Sequence, residues 1–437
     1  MGVTPFTLSA IMSAVQVSVS ALVQAAGNNN KFATEKVQIT GTRLTVISRV
    51  PVYLQAEAKA VYVSWYNWLF TIFGVTDISN SFDILKMSIE KDGAASSVPV
   101  TFGGLRNKTL LSGATDQVCD RIPASAFGLG SLPAGRYWLR IQVRVNTSGH
   151  YLPAGIPYTG NGGGSFPTSV GWQYDPTENP TVPDVDSVGN ITLGNGAGAG
   201  LQKPPSPIFL AEFVTPQPTY AGIGDSIMEG ANDLLTGNGF RGFFARTLAT
   251  PALTGSRLGG INFGMSGSGP VMWQGAGMSK AIVYLKYCRH AITEHGTNVF
   301  LSGGSPSILN SLKSDTQTIW NILRSNGIVN IVATKILPRL SSSSDSVATV
   351  AGQVTLNSAF SIAGEAQQYN DWLDAQKTAL TITDVSPFAA LRDSTNTWAW
   401  VVNGTANYAT TDLIHPTDAL HNFAASELYS KVSSWVY

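Results

Sequence analysis

The chain has 437 residues, 27 Lys plus Arg against 27 Asp plus Glu, a formal net charge of zero and 43% hydrophobic residues. Zero net charge without a basic cluster excludes nucleic-acid binding through phosphate contacts, and two cysteines, Cys119 and Cys288, exclude a disulfide framework and any Cys/His metal spacing. Charged residues make up 12%, against roughly 25% in an ordinary soluble domain, a Gly-rich style common in secreted, surface and virion proteins built from β-rich modules.

Residues 1–34 read as an N-terminal helical segment for oligomerisation or attachment. Leu8, Met12, Val15, Val19, Leu22 and Ala26 recur at 4-3-4-3-4 spacing, an a/d seam of nearly three heptads. Such a narrow seam packs on copies of itself, docks the chain onto a larger assembly, or lies on the next domain. Leu8 to Ala26 also resembles a signal peptide, although no Lys or Arg precedes it and Ser and Gln interrupt it. No apolar run reaches the ~18 residues of a transmembrane helix.

Residues 35–215 read as a β-rich accessory domain. Lys36 to Ile47, Val61–Tyr66 and Trp138–Val145 alternate and are rich in β-branched and aromatic residues. In the last of these, Arg140, Gln142 and Arg144 share one face. Short strands punctuated by Gly and Pro, with no strong helix, predict a β-sandwich, jelly-roll-like. Residues 150–205 are Gly-, Pro-, Asn- and Thr-rich and predict long loops with some anchoring by Trp172 and Tyr174. Pro207 to Phe213 predicts one more strand, and Pro216-Gln217-Pro218 marks a boundary.

From residue 216 to 437 strand-like and helical runs alternate. Strands are predicted at Tyr220–Gly224, Gly260–Gly264, Asn298–Ser302, Val329–Thr334 and Thr381–Val385. Helices are predicted from Met228, over Gly239–Thr247, Lys280–His295, Ser314–Ser325 and Leu356–Leu380, and from Thr417 to Val436. Repeated strand–helix units predict an α/β domain with a flavodoxin-like, doubly wound parallel sheet.

Two stretches carry chemistry. Gly224-Asp225-Ser226 breaks the first strand at its carboxyl end, where open α/β sheets place ligands. Ser226 there is a nucleophile if a base lies near, and otherwise a helix cap. Of five histidines, His290, His295 and His421 fall in predicted helices and His150 in the loop-rich region. His415 stands in Asp412-Leu413-Ile414-His415-Pro416 before the last helix. Asp412, three residues earlier, can orient its imidazole, the base-plus-orienter arrangement a serine nucleophile requires.

Together these stretches resemble the SGNH, or GDSL-type, hydrolase family over about residues 215–437. The resemblance implies a Ser226–His415–Asp412 triad. Asn262 to Gly267 resembles the block whose glycine N–H lines the oxyanion hole, at Gly267. Ser302-Gly303-Gly304-Ser305 resembles the block that normally reads Gly-x-Asn, with Ser305 in place of the asparagine. The implied oxyanion donors are then Ser226, Gly267 and Ser305. No metal or cofactor is needed. No G-x-S-x-G elbow of the α/β-hydrolase type occurs.

Trp273, Trp398 and Trp400 lie near these blocks in sequence and are candidates for stacking on a sugar ring. With a β-rich module in front, an O-acetylated carbohydrate is the expected substrate, in an extracellular or virion setting such as a phage tail. Two other readings stay open. One is a glycan- or receptor-binding virion protein that keeps the fold with little activity. The other is a secreted lipolytic esterase, which requires the N-terminal stretch to be a cleaved signal.

Overall fold

The structure is a computed structural model that describes residues 22–27, 30–38, 44–154, 171–175, 185–189, 207–233, 242–249 and 258–437. Most of the heptad seam, from Leu8 to Val19, lies outside these residues. Its end does not follow the helical expectation: Gln24–Ala25 is a β-strand.

Among the described residues the N-terminal part holds two larger antiparallel sheets and two two-stranded ones. In one larger sheet, Ala58–Trp65 pairs with Ile208–Phe213, which in turn pairs with Gln24–Ala25. In the other, Gly135–Val145 lies between Leu44–Leu54 and Phe82–Lys91. Alternation places Leu139, Ile141 and Val143 in the buried core, which they share with Val61, Val63 and Phe209 of the first sheet. The opposite face of Gly135–Val145 is covered as well. Arg140 is fully buried there and donates to Glu90 at 3.1 Å and to the Gly189 carbonyl at 2.6 Å. Within the expected loop region, Gly171–Asp175 forms a further strand on Leu44–Leu54.

The C-terminal part is built on a six-stranded parallel sheet. Its strands in chain order are β1 (Asn30–Lys31), β2 (Thr219–Gly224), β3 (Gly259–Gly264), β4 (His290–Glu294), β5 (Asn330–Thr334) and β6 (Asp384–Ser386). Their spatial order is β1-β3-β2-β4-β5-β6. Its helices include α1 (Ser226–Glu229), α2 (Gly242–Ala249), α3 (Pro306–Ser325), α4 (Glu365–Thr378) and α5 (Asp418–Val432). Strand alternation sorts side chains to two faces. Ile223, Phe263, Ala291 and Ile331 join Leu312, Ile319, Leu323 and Leu373 of α3 and α4. Tyr220, Ile292 and Val332 join Phe244, Leu248, Leu420 and Leu428 of α2 and α5.

One predicted unit is displaced. Lys280–His295 was expected as a single helix; its helical part, in α and 3-10 turns, ends at Tyr287. The sheet then takes His290–Glu294 as β4, every residue buried. Asn298–Ser302, expected as the third strand, is loop and turn. Helical spacing of Ile282, Leu285 and Ile292 does not distinguish a continuing helix from a buried strand entered through a turn.

The described end of the segment expected as 1–34, residues 22–27 and 30–34, is woven into both parts. Asn30 Nδ2 donates to the carbonyls of Ala26, Phe209 and Gly260 at 3.0, 3.1 and 3.1 Å, and Asn30 Oδ1 accepts from Phe209 N at 2.8 Å. Phe32 packs among Tyr66, Trp68, Phe263 and Tyr284. Tyr284 closes the junction, accepting from Asp116 N at 2.9 Å and donating toward the Trp65 carbonyl at 3.3 Å. Among the described residues no helix is long and apolar enough to cross a membrane.

Candidate active site

The nucleophile candidate is placed by the end of β2. Gly224 is required there by close approach: a Cβ on it would stand 2.5 Å from Met228 Cβ and 2.6 Å from the Glu294 carbonyl oxygen. Asp225 caps α1, its Oδ1 accepting from Ile227 N at 3.0 Å. Ser226 therefore opens α1 at the carboxyl edge of the sheet, 6% exposed.

Asp412 and His415 reach it from the loop before α5. Leu413 adopts φ 71° and folds the loop tightly. Asp412 Oδ1 accepts from His415 N at 2.8 Å and Ile414 N at 3.0 Å, while Oδ2 meets His415 Nδ1 at 2.6 Å. Partial burial pushes the Asp412 carboxyl up, but the bonds from the His415 ring and backbone and from Ile414 outweigh it and hold the group well below the usual carboxylate range. His415 Nε2 stands 2.8 Å from Ser226 Oγ. The structure thus brings Ser226, His415 and Asp412 into one chain of hydrogen bonds.

The three line a cavity of about 470 Å³ with Gly267, Asn298 and Arg339 among the other walls. Gly267 sits in the turn after β3 at φ 78°, a conformation that favours glycine. The turn is anchored by Ser266 N, which donates to Glu229 Oε2 at 2.7 Å. Lys31 Nζ grips the other oxygen of Glu229 at 2.5 Å. Burial pushes the Glu229 carboxyl up, yet the Lys31 charge and these bonds bring it down to about 2. The N–H groups of Ser226 and Gly267 meet no acceptor among the described residues.

The third expected donor is corrected. Ser305 caps α3, its Oγ accepting from Ile308 N at 3.3 Å, and is not among the cavity walls. Asn298 takes its place in the cavity. It closes Gly296-Thr297-Asn298, the Gly-x-Asn pattern, immediately after β4. Helical spacing through His295 hides this signal, because it removes the strand that Gly296-Thr297-Asn298 follows. Asn298 Nδ2 lies 3.3 Å from Asp225 Oδ2 and 3.3 Å from the Ser268 carbonyl. Asn298 Oδ1 accepts from Arg339 Nη1 at 3.2 Å, which orients the amide. Behind it, burial pushes both Asp225 and Glu294 up. Glu294 is raised further by the Asp225 charge, well above the usual carboxylate range.

The tryptophans are corrected too. Trp273, Trp398 and Trp400 are at most 1% exposed. Trp273 packs on Phe263, and Trp398 on Phe360 with its Nε1 donating to Gln367 at 3.1 Å. None offers a face for stacking. Apolar side chains beside the site are Ala231 and Ile414 in the cavity wall and Ile72, at the tip of the hairpin Trp68–Thr71/Gly74–Asp77, whose Cγ2 would stand 3.5 Å from a Cβ on Gly267. Phe73, next to it in the chain, is 84% exposed.

No family model and no curated protein matches the chain. Solved structures of similar fold include a GDSL-like lipase from Bacteroides thetaiotaomicron, at 14% identity and TM-score 0.33, covering 49% of this chain and 87% of that one. A lipase/acylhydrolase from Enterococcus faecalis matches at 12% identity and TM-score 0.35, covering 50% and 97%. A psychrotrophic esterase from Pseudoalteromonas sp. matches at 12% and 0.35, again covering 50% and 97%. At such TM-scores the likeness carries no argument about activity, which rests on the geometry above. The sequence blocks of this chain resemble those of the SGNH, or GDSL-type, hydrolases.

Proposed function

We propose that the chain is a serine esterase acting through Ser226, His415 and Asp412. The 2.8 Å contact between His415 Nε2 and Ser226 Oγ carries this reading, because a hydroxyl needs a base within reach. His415 takes the Ser226 proton as Oγ attacks the ester carbonyl, and Asp412 steadies the imidazolium. The backbone N–H groups of Ser226 and Gly267 and the amide of Asn298 hold the oxyanion. One of the two long contacts of Asn298 Nδ2 gives way as it donates. His415 then protonates the departing alcohol, an acyl group remains on Ser226, and water repeats the cycle to release the acid.

The finer reading is an O-acetylated carbohydrate as substrate. Its supports are the cavity of about 470 Å³ beside Ser226, the exposed Phe73 that follows Ile72 in the chain, and the two larger antiparallel sheets, which we read as a jelly-roll-like sandwich. The strand order β3-β2-β4-β5-β6 is the flavodoxin-like order and supports a doubly wound sheet with its ligand at the strand ends. A phage tail or surface assembly is the setting suggested by the low charge and the N-terminal seam.

The test is hydrolysis of a short activated acetyl ester beside Ser226→Ala. The variant is expected to lose at least ~10³-fold in kcat. Equal rates would end the nucleophile assignment. No turnover by the wild-type chain would leave the glycan- or receptor-binding reading.

A further inference from the structure

Five arginines are buried among the described residues, and they divide by what their guanidinium groups meet. Arg49 and Arg140 pair with Glu90, and Arg246 with Asp233. Arg392 directs Nε, Nη1 and Nη2 at the carbonyls of Pro387, Thr397 and Ile336. Arg339 is the one of the five that lines the cavity holding Ser226 and His415. Its Nη1 donates to the Thr297 carbonyl at 3.1 Å and to Asn298 Oδ1 at 3.2 Å. Its Nε and Nη2 meet no acceptor among the described residues, and neither is sealed away from the surface. Arg339 is 9% exposed and forms part of the wall of the cavity that holds Ser226 and His415.

Arg339 forms no ion pair with a carboxylate among the described residues, whereas Arg49, Arg140 and Arg246 do. Burial pushes the Arg339 pKa down while the Asp225 and Asp412 charges pull it up. The group stays a cation, since arginine is effectively always charged. Orienting Asn298 needs one of its nitrogens. The remaining two form a planar fork of the kind that binds carboxylates, in the cavity where the substrate sits.

We propose that Arg339 is an anion subsite of this cavity and that the substrate is an ester whose alcohol part bears a carboxylate, such as an O-acetylated acidic sugar. The assignment rests on the esterase reading of Ser226. The Arg339 fork grips the carboxylate while Ser226 attacks the acetyl carbonyl. Water is consumed, and acetate and the free hydroxy acid leave.

The test compares an O-acetylated methyl galactosiduronate with its neutral carboxyl methyl ester. The wild-type chain is expected to favour the anionic ester in kcat/KM by roughly tenfold or more, chiefly through KM. Arg339→Gln should bring that ratio to about one, and Arg339→Lys should keep part of it, because the charge survives without the fork. Both variants also slow the neutral ester, since Arg339 holds Asn298; the ratio isolates the anion contact. Thermal melts establish that the variants are folded. A wild-type chain with no preference, or an unchanged ratio in Arg339→Gln, overturns the proposal.

A second measurement needs no turnover. Ser226→Ala is expected to bind the deacetylated uronate in ligand-observed NMR, and Ser226→Ala/Arg339→Gln is not. Binding of this kind in a chain that hydrolyses no ester sinks the esterase reading and keeps the subsite. Hydrolysis of neutral esters without uronate binding does the reverse.

Discussion

Asn298 and Ser305 both follow β4, and the backbone around each decides what its side chain does. Ser305 lies at φ −157°, ψ 158°, an extended N-cap whose Oγ is taken by Ile308 N. Asn298 lies closer to the strand end and is held by Arg339, Asp225 and Ser268 inside the cavity. Asn298→Ala is therefore expected to lower kcat about 10²–10³-fold, the usual cost of one oxyanion donor, with little change in KM. Ser305→Ala is expected to cost about 1 kcal/mol of stability, as lost caps do, and to leave kcat alone. Steady-state kinetics and urea melts on the two variants check the pair. The opposite pattern would restore Ser305 to the oxyanion hole.

At the scale of elements, the short β1 does more than extend the sheet. It pairs in parallel with β3, whose end carries the Gly267 turn. Through Lys31 and Glu229 it also ties the N-terminal segment to Ser266 N. Asn30 satisfies carbonyls from three separate segments with one amide. Asn30→Ala leaves buried backbone groups unpaired, at roughly 1–3 kcal/mol each for those that water does not reach. A fall of about this size in unfolding free energy is expected in urea titrations. A neutral result would show that β1 frays from the sheet in solution.

For the whole molecule, one core runs from the antiparallel sheets through Phe32 and Tyr284 into one face of the parallel sheet. Two histidines are buried at the ends of β4 without becoming charged. Burial pushes His290 down to about 4, despite its bond to the Val436 carbonyl, and His295 down to about 3. The unfolded chain binds protons at both from about pH 6.5, before the folded chain does. Stability is therefore complete above that pH and falls as pH drops towards 4, by about 1 kcal/mol per unit for each histidine. Melting temperature is expected to decline through this window, and His290→Gln to flatten the decline. A melting temperature independent of pH between 6.5 and 4.5 would show that these rings are not buried neutral.

The sequence by itself determined the strand–helix character of the second half, except around β4, and singled out Ser226, Asp412 and His415, which the structure places within hydrogen-bond distance. These rest on local chemistry: a strand broken by Gly224-Asp225-Ser226, and a carboxylate three residues before its imidazole. Only the tertiary structure decided the rest. Whether His290–Glu294 continues a helix or becomes a central strand depends on β2 and β5 offering edges to it, which no local spacing records. With that strand in place, Gly296-Thr297-Asn298 falls at the sheet's carboxyl edge, and Asn298 rather than Ser305 lines the cavity. The tryptophans that neighbour the blocks in sequence turn inward, because burying a large apolar ring outweighs proximity along the chain. The same packing carries Arg339, invisible among the sequence motifs, into the wall of the cavity beside Ser226.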